Sequence, residues 1–325
     1  MVCRRWCRVW TLMLVVGAMP ATLAWAAAAP APVYTAADFE TAAAKEMPGM
    51  RDSIAKRIAT ITSSQQRDKE AAAVATDFTA PGRGVNSARP EARLNAAILI
   101  HDLGTLSTDS FLTQMLQNKD VAVRYWAARG LTDIAKALIN AGAAGRVVTA
   151  LGAQAKVETS GVVAQELIKA LIQYSALVPA LEALGAVANQ MQTTVPDVAT
   201  LQTAALGLDF VGKSMAGLPV ADKNNAVTIA ARMASFAAQQ ARNYEKSIKA
   251  IDPAAPLPPD YSAAVRKVID AAVKVYNGAA STPALAPTGA TSDELQMNVD
   301  QLFSKKMPAD ANLKTIPIPP AVKTP

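Results

Sequence analysis

The stretch from Asp120 to Leu138, DVAVRYWAARGLTDIAKAL, decides the fold. Val123, Ala127, Gly130, Ile134 and Leu138 recur at helical spacing, while Arg129, Asp133 and Lys136 fall on the other side. That period belongs to an amphipathic helix with one face buried. Just ahead of it, TDSFLTQMLQN places Phe111, Leu112, Met115 and Leu116 on one face, with Ser107 or Thr108 as N-cap. Asn118-Lys119-Asp120 is a short polar turn between the two runs. The spacing predicts an antiparallel helix pair over 108–138.

Weaker copies lie on both sides. In EARLNAAILIHDL, Arg93 takes the place of Arg124 at a shift of 31 residues, Ala96-Ala97 that of Ala127-Ala128, and Asp102 that of Asp133. Downstream, VVAQELIKALIQY sets Val163 under Val123, VPALEALGAVANQM and DVATLQTAALGLDFV form a further pair, and Ala230-Ala231 marks a last copy. A repeat of this length means units that bury their apolar faces by stacking on one another.

The pattern Asp120-x-x-Val123-Arg124-x-x-Ala127-Ala128-x-Gly130-Leu131-x-x-Ile134 resembles the second helix of a HEAT repeat. The resemblance implies an all-α, right-handed α-solenoid of antiparallel helix pairs, here over 89–250. It also implies that Asp120, Arg124 and, by alignment, Arg93 bond between neighbouring repeats and are structural.

One motif pulls the other way. Gly207 to Ser214, GLDFVGKS, matches the phosphate-loop pattern G-x-x-x-x-G-K-[ST] letter for letter. That pattern works only between a strand and a helix. The preceding ATLQTAAL has helical spacing, and Gly207 falls under Gly130 in the repeat. The expectation is a repeat helix ending near Gly212, with Gly207 as a packing position.

Composition agrees with helices. The chain has 325 residues, 51% hydrophobic and 5% aromatic, and Ala dominates the apolar share. Ala is the best helix former, and long Val/Ile/Thr alternations are missing. Residues 1–26 read as a secretory signal peptide: Arg4, Arg5 and Arg8, an apolar run from Val9, then Ala24-Trp25-Ala26. The expected product is exported, periplasmic or secreted, with no transmembrane segment in the mature chain. Of the formal net charge of +6, those three arginines leave with the signal, so +3 remains and no basic cluster points to nucleic acid. Cys3 and Cys7 leave with it too, which removes thiolate chemistry from the mature chain.

Residues 27–88 contain TAADFETAAAKEM, with the capping box Thr35-x-x-Asp38 and a stop at Pro48-Gly49, then RDSIAKRIATITSSQQRDKEAAAVATDF. These read as two helices, either a cap on the repeats or a separate hairpin. At the other end, 251–260 is a proline-rich linker and 261–277 a closing helix with Val265, Val268, Ile269, Val273 and Tyr276 on one face. Residues 278–325 read as a mostly disordered Pro/Ala-rich tail holding a short helix at 293–305, whose Leu295, Val299, Leu302 and Phe303 dock on a partner or on the chain itself.

Chemistry-bearing residues are sparse. His101 is the one histidine, and with no cysteine left no zinc site can be assembled. His101 and Asp102 are neighbours on one helix and expected to point to different faces, and no G-x-S-x-G elbow occurs. Asp133, Glu166 and Asp209 are read as solvated face residues, with convergence in a groove as the alternative. Tyr125 and Trp126 are the conspicuous aromatic pair: both pack in the core, or one faces a groove and anchors a partner. The sequence thus predicts no catalytic residue, cofactor or metal, and a scaffold that binds a protein or peptide. The alternative is a small-ligand or enzymatic site in the concave groove.

Overall fold

The computed structural model describes residues 34–193, 195–280, 284–289 and 291–304. The predicted signal peptide and residues 305–325 lie outside them. The described chain is all-helical, in fourteen α-helices. In order these are α1 (Ala36–Thr41), α2 (Met47–Ala59), α3 (Ser64–Phe78), α4 (Pro90–Leu103), α5 (Asp109–Met115), α6 (Val121–Asp133) and α7 (Ala135–Asn140). Then follow α8 (Ala144–Val157), α9 (Gly161–Gln173), α10 (Leu177–Thr193), α11 (Val198–Ser214), α12 (Val220–Ile251), α13 (Pro259–Asn277) and α14 (Ser292–Ser304). No described helix is long and apolar enough to cross a membrane.

Two rows of helices share one apolar core that runs from Ala36 to Phe303. In the first row α4 packs on α6, α6 on α9, α9 on α11 and α11 on α13. In the second, α8 packs on α10, α10 on α12 and α12 on α14, and pairs such as α5 with α6 or α10 with α11 join the rows. Helices α1 to α3 sit ahead of α4, where α2 packs directly on it.

Small residues set how closely the rows approach. A Cβ on Gly130 of α6 would stand 2.9 Å from Leu112 Cδ2 of α5, and one on Gly207 of α11 would stand 2.6 Å from Leu184 Cδ2 of α10. The two glycines therefore do the same job two helix pairs apart, as their alignment predicts. Gly207 to Ser214 lies wholly inside α11, so the phosphate-loop pattern is a coincidence of helix packing. Replacing Gly207 by Ala adds about 1 kcal/mol of helix propensity but overpacks a fully buried leucine, which costs roughly 1–3 kcal/mol. The expected net loss is about 1 kcal/mol, read as a lower urea midpoint. A raised midpoint would show that the α10/α11 contact has room.

Three boundaries differ from the sequence expectation. Pro48 begins α2 instead of ending a helix, because proline is tolerated in a first turn where its missing N–H has no partner to lose. The run RDSIAKRIATITSSQQRDKE breaks at 60–63, where Ser63 caps α3 by accepting from Gln66 N at 3.4 Å. Helix α6 stops at Ile134 and α7 begins at Ala135, so the single helix expected over 120–138 is split in two. Other expectations stand as read: Asp38 Oδ2 accepts from Thr35 N at 2.7 Å in the capping box, and α13 covers the expected 261–277.

The ends are fastened to the rows. Phe39 and Phe78 meet edge to face at 4.9 Å, and Arg89 donates to the carbonyls of Phe39, Glu40 and Ala42. Helix α14 lies on α12 of its own chain with Leu295, Val299 and Phe303 buried and Leu302 half-buried. Ser235 donates to Asp300 at 2.8 Å, and Phe303 meets Tyr276 edge to face at 6.1 Å. Residues 284–289 are also held, since Asn277 bonds Ala284 through both its side-chain oxygen and nitrogen and Arg266 donates to Gly289 O.

Candidate interaction face

Two arginines repeat one construction. Arg93, on the first turn of α4, donates through Nη1 to the carbonyls of Ser87 and Ala88 and through Nε to Asp120 at 2.8 Å. Arg124, one unit later on α6, donates through Nη1 to the carbonyls of Asn118 and Lys119 and through Nε and Nη2 to Glu158 at 2.8 and 2.9 Å. Each guanidinium thus closes the loop before its own helix and reaches the start of the next helix in the row. Asp120 is the N-cap of α6, accepting from Ala122 N at 2.9 Å. Burial pushes its carboxyl up, but hydrogen bonds from Arg93 and Ala122 outweigh this and hold it below the usual range.

Glu158 was not singled out by the sequence. It stands two residues before Ser160, the N-cap of α9, and its longer side chain reaches back to accept from Ser160 N at 2.8 Å and from Gln154 Nε2 at 3.0 Å. The acidic rung is conserved in geometry and displaced in sequence, so a search for Asp at the N-cap passes over it. At the next position, Ala164 on α9 has no guanidinium, and the construction ends there.

The solvent side of α4 and α6 carries one aromatic group, His101, Tyr125 and Trp126, among charged residues. On α4 the His101 ring lies between two carboxylates, Nδ1 2.7 Å from Asp102 and Nε2 2.9 Å from Asp133 of α6. The expectation that His101 and Asp102 point apart is corrected: the two side chains bend toward each other over the helix surface. Trp126 packs edge-on against His101 at 4.9 Å and against Tyr125 at 5.4 Å, with Arg129 5.3 Å over the indole. Arg129 also donates to Tyr125 Oη at 3.2 Å, which holds its guanidinium all the more firmly in the charged form.

Both Tyr125 and Trp126 are half-buried. Neither is sealed in the core, so the side-by-side pair presents ring edges and a stacked guanidinium to solvent. Asp133 and Glu166 both act on Arg129 through space while Asp209 is engaged elsewhere, and Glu166 is buried, against the expectation of a solvated face residue. Asp133 holds His101, Glu166 accepts from Lys169 at 2.7 Å, and Asp209 takes Lys213 at 2.6 Å and Lys274 at 2.8 Å. Those two lysines keep the Asp209 carboxyl below its usual range. Leu295, Val299, Leu302 and Phe303 lie apart from this face, on α12 in the other row.

Among the described residues no Ser or Thr is bonded to His101, and both its ring nitrogens are taken up by Asp102 and Asp133. Among the described residues no group of three or more His, Cys, Asp or Glu is arranged to hold a metal ion. What the face offers is shape, aromatic surface and fixed charge. Comparison with known proteins adds no assignment, since no family model, curated protein or solved structure matches the chain.

Proposed function

We propose that the chain is an exported HEAT-like α-solenoid that works as a scaffold, binding a protein or peptide partner across the outer side of α4, α6, α9, α11 and α13 without catalysing a reaction. The repeated arginine construction and the twice-used packing glycine support stacked equivalent units, and stacked units present an extended face. The observation that carries the binding assignment is the half-buried Tyr125 and Trp126 with the exposed Arg129 stacked on the indole, all on α6. Exposed aromatic and arginine side chains at the centre of a surface supply most of the affinity in protein interfaces.

The test is to place a photo-crosslinking residue at Tyr125, express the full chain in its own host, irradiate and identify the adduct. One protein captured at near-equal stoichiometry is expected. Trp126→Ala should weaken that complex by roughly thirtyfold, the effect of about 2 kcal/mol at a central anchor. Adduct yields that stay at background would sink the scaffold reading and direct attention to small ligands.

A further inference from the structure

A groove of 710 Å³ opens on the same face between α9, α11 and α13. Its floor is made by Ala205, Ala271 and Leu206, the last a leucine left 44% exposed. Gln165 and Gln202 stand beside the leucine, with side-chain amides that can donate and accept. Lys169, Lys267 and Lys274 stand around them.

The charges do not cancel. Glu166 holds Lys169, and Asp209 holds Lys213 and Lys274, while Asp270 acts on Lys274 through space. Two carboxylates therefore face Lys213 and Lys274, one faces Lys169, and the cation left over is Lys267. Lys267 is exposed and has no ion-pair partner among the described residues. An ammonium donates only, so what completes it is an acceptor, most strongly an anionic one.

We propose that this groove takes an acidic peptide segment of the partner, with an aliphatic side chain on Leu206, a carboxylate on Lys267 and main-chain amides against Gln165 and Gln202. The inference rests on the scaffold reading and names the chemistry of its partner. A phosphate compound fits less well. The lining of α11 runs from Gln202 to Asp209, past the first turn, so no free helix N–H groups point into the groove to hold a phosphate. The apolar floor would also go unused.

The experiment selects displayed random twelve-residue peptides on the purified chain and sequences the survivors. The expected survivors pair Asp or Glu with Leu or Ile, bind more weakly as salt is raised, and lose at least about tenfold in affinity to Lys267→Glu. Lys267 is exposed, so this variant keeps the fold. The matched control is Lys119→Glu, an exposed lysine on the turn before α6, which carries the same charge change and should leave affinity within about twofold. Survivors without acidic enrichment, or equal loss in both variants, would overturn the groove assignment. So would competition by inorganic pyrophosphate as effective as that of unlabelled peptide. A crosslink at Tyr125 that persists in the Lys267→Glu chain would then keep the scaffold reading while discarding this one.

Discussion

Arg124→Ala is expected to lower the stability of the chain by about 3–5 kcal/mol at neutral pH. The reason lies with its partner. The Glu158 side chain is 0% exposed, and Arg124 supplies both guanidinium bonds that compensate its charge. Without Arg124, a buried carboxylate keeps only Gln154 and two main-chain N–H groups. Arg93→Ala performs the same deletion one unit earlier, yet Asp120 is partly exposed and water can replace the guanidinium. Its expected cost is about 1–2 kcal/mol.

The pH dependence separates this account from simple loss of packing. Burial pushes the Glu158 carboxyl up, and the hydrogen bonds from Arg124, Ser160 N–H and Gln154 more than offset that, leaving it below its usual value of 4.5. A folded value below the unfolded one means stabilisation that is full above pH of about 4.5 and is lost as pH falls through the lower folded value. In the Arg124→Ala chain the carboxyl is released upward and protonates in the folded state. The deficit relative to the parent should therefore shrink between pH 7 and pH 4 in urea unfolding. The double variant Arg124→Ala, Glu158→Ala should be less damaged than Arg124→Ala alone, because no buried charge is stranded. A deficit below about 1 kcal/mol, or one that stays constant with pH, would remove the ladder from the list of what holds the rows together.

The rung at Glu158 also shows where sequence reading stops. Asp120 and Arg124 were placed by the resemblance to a HEAT repeat, and Arg93 by its alignment with Arg124 at a shift of 31 residues. Gly207 could be moved out of a phosphate loop in the same way, by its alignment with Gly130. Glu158 was hidden because a longer side chain two residues upstream fills the same point in space. The start at Pro48 was hidden because Pro-Gly reads as a stop although proline is tolerated in a first turn, and the break at Ile134 because the apolar period runs on through it. The candidate face was half legible: Tyr125 and Trp126 were conspicuous, but Lys267 of α13 and Leu206 and Gln202 of α11 come from two helices far apart in sequence. Their meeting depends on α11 packing against α13 across the intervening 32-residue α12. Side-chain period says which face of a helix is wet, and it does not say which other wet faces lie beside it.

The turn that fastens the N-terminal helices to α4 carries the other large effect. Gly84 has φ +57°, and a Cβ there would stand 2.1 Å from the carbonyl oxygen of Phe78 and 2.8 Å from its Cα. These are backbone atoms at the end of α3, so no rotamer change relieves the contact. Gly84 N also donates to Glu40 at 3.2 Å, and Ser87 donates to the same carboxylate at 2.6 Å, which joins this turn to α1. In Gly84→Ala the left-handed conformation costs about 1–2 kcal/mol, and the backbone shift adds roughly 1–3 kcal/mol. Displacing Phe78 further disturbs its edge contact with Phe39, so the damage should concentrate in α1 to α3. The expected result is a loss of about 3–5 kcal/mol, with hydrogen exchange accelerated in residues 36–78 before the rest of the chain. Gly82 supplies the internal control, because its φ of +75° imposes the same conformational penalty while nothing lies within 4 Å of its Cβ position. Gly82→Ala should cost only about 1–2 kcal/mol. If the two variants unfold at the same urea concentration, the close approach to Phe78 contributes nothing and the N-terminal helices are held by Arg89, the Glu40 bonds and the apolar core.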